Sequence, residues 1–156
     1  MEIALLAVGR LRPYYREACD EYLRRLRRYA RVTEREVKEA AHAPTPVQQQ
    51  EEEAARLLAG APAGAALVAL DLGGAPWSSE ELARQVERWQ LAARPVALLV
   101  GGSTGLAPGL RQQAAQRWSL GPLTLPHELA RVVVCEQLYR AFTILRGEPY
   151  HKGGRT

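Results

Sequence analysis

Two apolar runs, each stopped by a glycine pair, constrain this chain more than any other feature. They are Ala66-Leu67-Val68-Ala69-Leu70-Asp71-Leu72 before Gly73-Gly74, and Pro95-Val96-Ala97-Leu98-Leu99-Val100 before Gly101-Gly102. A strand with one wet face alternates polar and apolar residues, whereas a continuous run has to be covered on both faces. The chain is therefore expected to build a sheet sandwiched between helices, with these two segments at its centre.

The remaining segments supply the partners. Further strands are expected at 2–8 and 31–38, with short extended pieces near 117–120 and 123–125. Helices are expected at 13–29, 46–59, 78–92, 108–115 and 127–145. Pro13 and Pro108 suit a first helical turn. Ser78 or Ser79, followed by Glu80 and Glu81, offers an N-cap oxygen and acids at the positive end of the helix dipole. In the last helix Val132, Cys135, Tyr139, Phe142 and Leu145 recur at three- and four-residue steps, a stripe that must be buried. The alternation gives the fold class: α/β, one domain over residues 1–156, a mostly parallel sheet with helices on both faces. Such sheets take ligands at the carboxyl ends of their strands, so the loops after residues 72 and 100 are the places to look.

Composition narrows the function classes. With 47% hydrophobic and 24% charged residues among 156, the chain has the make-up of a folded domain rather than a disordered one. No stretch approaches the roughly 20 apolar residues of a membrane helix, and the first residues lack the basic head and cleavage site of a secretory signal. A cytoplasmic protein that does not span a membrane is the expectation. Cys19 and Cys135 form no C-x-x-C pair and have no histidine cluster, so buried thiols are expected and no metal. The net charge of +4 is unevenly spread: residues 10–35 hold nine arginines against four acids. That density suits a polyanion such as nucleic acid, and it equally describes a solvated helix face.

The loop Gly101-Gly102-Ser103-Thr104-Gly105 has no Gly-Lys-Ser/Thr ending, so it is no P-loop, and it lacks the first glycine of a dinucleotide fingerprint. It matches G-x-S-x-G, the nucleophile elbow of α/β hydrolases. That triad runs serine, acid, histidine, and no acid lies between Ser103 and His127; only His151 leaves acids in between. A serine hydrolase stays as an alternative beside a plain glycine-rich turn. Further on, Pro122 and Pro126 bracket a short apolar stretch whose backbone polar groups cannot all join a ladder, leaving some free for the edge of an adenine-sized ring.

The glycine-pair loop, the segment Leu120 to His127, the helix with Glu136-Gln137-Leu138-Tyr139-Arg140-Ala141 and the ending Pro149-Tyr150-His151-Lys152 together resemble the small SPOUT-class methyltransferases. Leu6-Ala7-Val8-Gly9, Leu70-Asp71 and Pro76-Trp77 extend the resemblance over nearly the whole chain. Within that class it is similar to the family that methylates N3 of a pseudouridine in large-subunit ribosomal RNA. The resemblance implies a C-terminal trefoil knot, with S-adenosylmethionine against Leu70, Gly101, Leu120, Gly121, Pro122, Leu123, Thr124 and Leu125. It implies catalytic roles for Glu136, Arg140 and His151. On spacing alone Glu136 and Arg140 are an exposed i,i+4 pair worth about 0.3–0.5 kcal/mol. Tyr150 and Lys152 would contact substrate, and His127 and Arg131 would shape the pocket or touch RNA, though a structural hydrogen bond serves His127 equally well. Arg24 and Arg28 would meet RNA phosphates. The implied assembly is a homodimer acting on ribosomal RNA, the partner's tail closing over the nucleobase. A non-catalytic RNA-binding, ribosome-associated module is the other alternative.

Overall fold

The structure is a computed structural model that describes residues 1–152, the last two by their backbone alone. Five strands form one sheet: β1 (Glu2–Val8), β2 (Arg31–Val37), β3 (Ala66–Ala75), β4 (Val96–Val100) and β5 (Gln116–Trp118), in the order β2-β1-β4-β3-β5. Every pairing is parallel. The apolar run at 96–100 takes the central place, with all five residues buried. Side chains alternate across the sheet. Ile3, Leu5 and Ala7 face α1 (Pro13–Leu26), α3 (Ser79–Ala92) and α5 (His127–Leu145), while Ala4, Leu6 and Val8 face α2 (Pro46–Ala59) and α4 (Pro108–Gln113). A short 3₁₀ turn at Pro149–Lys152 closes the described chain.

Local signals account for the ends of the helices. Ser78 caps α3 in a reciprocal capping box: its hydroxyl accepts from the Glu81 amide at 3.1 Å, and the Glu81 carboxylate accepts from the Ser78 amide at 2.8 Å. Prolines open α1, α2 and α4. Helix α1 stops at Leu26 instead of residue 29, because the chain tightens there and the Arg31 amide donates to the Met1 carbonyl to begin β2. The expected strand at 123–125 does not form. Gly121, at φ +110°, and Pro122 swing the chain away once the Ser119 amide has donated to the Ala75 carbonyl. In α5 the expected stripe is buried at Cys135, Tyr139 and Phe142, and Val134, Leu138 and Ala141 are buried beside it, since the helix packs against both α1 and α3. The two cysteines are buried and free, with Sγ atoms 3.9 Å apart across α1 and α5.

Candidate active site

At the carboxyl ends of β3, β4 and β5 the loops that follow them leave an open cleft of about 160 Å³. Its walls are apolar: Leu70, Val100, Leu106, Trp118, Leu120 and Leu125. Leu72 and Leu123 stand at the same opening 68% and 74% exposed, unusual for leucines beside a cavity unless something covers them. Gly101 is held to glycine by its neighbours, for a Cβ there would lie 2.7 Å from the Gly105 carbonyl carbon and 2.9 Å from the Leu106 amide nitrogen. The loop is braced from behind: the Ser103 hydroxyl donates to Glu39 at 2.8 Å, and the Gln50 amide donates to the Thr104 carbonyl. Ser103 thus spends its proton on a carboxylate and not on an imidazole, the opposite of a nucleophile elbow.

The turn at Gly121 and Pro122 shapes the other wall without lining the cavity. Ser119 stabilises it by accepting from the Gly121 amide at 3.2 Å. Beyond it, the backbone amides of Leu123, Thr124 and Leu125 have no partner among the described residues. A row of open amides beside an apolar slot fits a flat heteroaromatic ring, its faces against leucines and its edge on the backbone. The adenosine part of S-adenosylmethionine has that shape and polarity, so the residues present suit the expected cofactor.

Helix α5 delivers His127 and Ala130 to the cleft, and its first turns are pinned by two charged anchors. Glu128 accepts from the Arg12 amide at 2.7 Å. Arg131 donates to the Gly9 carbonyl at 3.0 Å and to Glu34 and Glu36 at 2.8 and 2.7 Å. Arg131 is 0% exposed, which corrects the expectation that it could touch RNA: both terminal nitrogens of its guanidinium are bonded inside the protein, and it shapes the cleft only through the helix. Arg16 completes the network by pairing with the same two carboxylates.

Glu136 and Arg140 lie elsewhere. At 3.6 residues per turn, nine residues from His127 carry Glu136 roughly half a turn round the helix, away from the cleft. There Arg140 grips Glu136 through Nε and Nη2 at 2.9 and 2.6 Å, and the Tyr150 hydroxyl donates to the same carboxylate at 3.0 Å. Burial works against the Arg140 charge, but the Glu136 bond and charge outweigh it and hold the guanidinium above its ordinary value. Burial and then the Glu136 carboxylate push the Tyr150 phenol up, so it stays protonated and serves as a donor. The side chains of His151 and Lys152 lie outside the described residues. Arg28 is exposed, while Arg24 is already paired with Glu21 at 2.6 Å, as is Arg25. Asp71 was not singled out by sequence reasoning. Its signal was present: a carboxylate near the end of the otherwise apolar run at 66–72.

A family model described as a predicted SPOUT methyltransferase matches residues 1–151. The chain belongs to the SPOUT methyltransferase family. Among its relatives in that family, a protein named ribosomal RNA large subunit methyltransferase H from Rubrobacter xylanophilus is 52% identical over 151 residues, 94% of this chain and 96% of its own. The protein of the same name from Pseudomonas paraeruginosa is 43% identical, covering 97% of this chain and all of its own. The crystal structure of a probable methyltransferase from Bordetella pertussis Tohama I shares the fold, with a TM-score of 0.55 and 18% identity over 90% of this chain and 95% of that one. Among the described residues of this SPOUT methyltransferase, no helix is long and apolar enough to cross a membrane, and no group of side chains is arranged to hold a metal ion.

Proposed function

We propose that this SPOUT methyltransferase transfers a methyl group from S-adenosylmethionine to N3 of a pseudouridine in large-subunit ribosomal RNA, in the cytoplasm, as a homodimer working on the assembled ribosome. The observation that carries the reading is the apolar cleft with its open amides at 123–125, in a chain 52% identical to a protein named for large-subunit rRNA methylation. When bound, the cofactor supplies an electrophilic methyl group. The leucines hold its flat ring, the amides of 123–125 fix its edge, and Gly101 lets the backbone come close.

The pseudouridine N3 proton must leave before or during attack, which calls for a base or anion-stabilising groups. Glu136, Arg140, Tyr150 and His151 supply this, with His151 as proton acceptor and Lys152 on a phosphate. The far-face position of Glu136 and Arg140 supports a composite site, in which one protomer's cleft meets its partner's α5 and tail. Arg24 and Arg28 reach RNA phosphates, Arg24 by exchanging Glu21 for one. A trefoil crossing of the segment after β5 belongs to the same reading, supported by the way residues 120–125 lie beside the loops that follow β3 and β4.

The test incubates the protein and methyl-labelled S-adenosylmethionine with unmodified ribosomes and with naked RNA, then maps the label by mass spectrometry. The expected result is one pseudouridine methylated at N3, on ribosomes only, with His151→Ala losing methylation but keeping cofactor binding. Ribosome binding without any cofactor uptake would instead favour the binding-only alternative.

A further inference from the structure

The rim of the cleft carries an ionic cluster that no step above uses. Asp71 lines the cavity, its side chain 7% exposed, and holds two guanidiniums on its outer side: Arg111 of α4 through Oδ1 and Arg117 of β5 through Oδ2, both at 3.4 Å. Their approach depends on Gly74. A Cβ there would sit 2.6 Å from the Arg117 carbonyl, so only glycine lets β3 fold onto β5 at this point.

Two cations share one anion here, leaving a local charge of +1 beside the cavity mouth. A guanidinium has five N–H donors in a planar fork that suits phosphate oxygens bidentately. Each of these two gives a single long contact to Asp71, and the Arg111 Nε is buried with no partner among the described residues. The Arg111 and Arg117 side chains are 37% and 52% exposed, so unused donors face solvent. Neither guanidinium lines the cavity, which leaves them to a ligand lying across the rim and not to one inside. A nucleotide whose base meets the cofactor's methyl group at the cleft mouth brings its phosphodiester backbone close to that rim.

From this we infer that Arg111 and Arg117, steered by Asp71, form a phosphate site for the RNA backbone next to the methylated base. The inference rests on the methyltransferase reading above. Wild-type protein, Arg117→Glu, Arg117→Gln and, as a control on the outer face of α3, Arg88→Glu are compared. Cofactor affinity is read by calorimetry, and methylation of unmodified ribosomes is followed over a salt series. The expected result for Arg117→Glu is a several-fold rise in KM for ribosomes, with kcat and cofactor affinity unchanged. The slope of log affinity against log salt should fall by about 0.7, one single-strand phosphate contact. Arg117→Gln should show a smaller rise and Arg88→Glu none. An unchanged KM and salt slope in both Arg117 variants would overturn the site, as would an equal loss of cofactor affinity, which would make it a grip on the cofactor's carboxylate. Failure of the wild type to methylate any RNA would instead strike the function reading.

Discussion

The two working regions of α5 are built on opposite principles. At its start, α5 turns His127 and Ala130 toward an apolar-walled cleft, and the adjoining amides at 123–125 have no partner among the described residues. At its middle, Glu136 and Arg140 pair with each other, and Tyr150 from the following 3₁₀ turn donates to the same carboxylate. An open backbone edge next to leucines is suited to receive a flat ligand. A closed ionic cluster is suited to hold protons and charge in place until a substrate competes for them. α5 thus carries the two regions on different faces, and among the described residues the Glu136 cluster does not line the cleft, an arrangement consistent with the proposed site between two protomers.

The largest effect should come from the anchor that fixes the first region. Arg131→Ala removes a wholly buried guanidinium from Glu34, Glu36 and the Gly9 carbonyl, and should cost about 3–5 kcal/mol in urea unfolding. Arg131→Met, which keeps the volume, should cost less. Equal stability of both variants and the wild type would mean the start of α5 is not held this way. Next, Gly101→Ala should weaken S-adenosylmethionine binding at least tenfold, about 1.4 kcal/mol, because its methyl group collides with Gly105 and Leu106. Calorimetry reads this, and the Glu136 cluster should be untouched.

The smallest effect concerns the second region. Burial, then the Glu148 bond, pushes the Tyr29 phenol up to about 12, where it stacks on Phe142 of α5. A raised acid pKa means the folded state binds the proton more tightly. The stabilisation is complete below the ordinary tyrosine value near 10 and is lost as pH rises toward 12. The Tm should therefore fall over that interval, less steeply in Tyr29→Phe, and a parallel fall in both would remove this link.

Much of this arrangement was legible in the sequence. Continuous apolar runs at 66–72 and 95–100 read as covered strands, and proline and serine signals marked where three helices begin. Leu70, Gly101, Leu120, Leu123, Thr124 and Leu125 fall on or around one cleft because glycine and proline chemistry announces irregular backbone. Arg131 was harder. One turn after His127 it looks like a surface cation, and only the strand register that brings Glu34 and Glu36 beneath it turns it inward. Asp71, Arg111 and Arg117 come from three elements, so no local spacing joins them. The spacing of Glu136 and Arg140 correctly foretold their bond but is silent about which side of the helix faces the cleft.

Subunit complementation tests the central claim most directly. Gly101→Val, which blocks the cleft, and Glu136→Gln, which disables the cluster, should each be inactive alone. Mixed and allowed to exchange subunits, they should recover about a quarter of wild-type activity, since half of the dimers are mixed and each restores one of two sites. No recovery after verified exchange would contradict a site assembled from two chains.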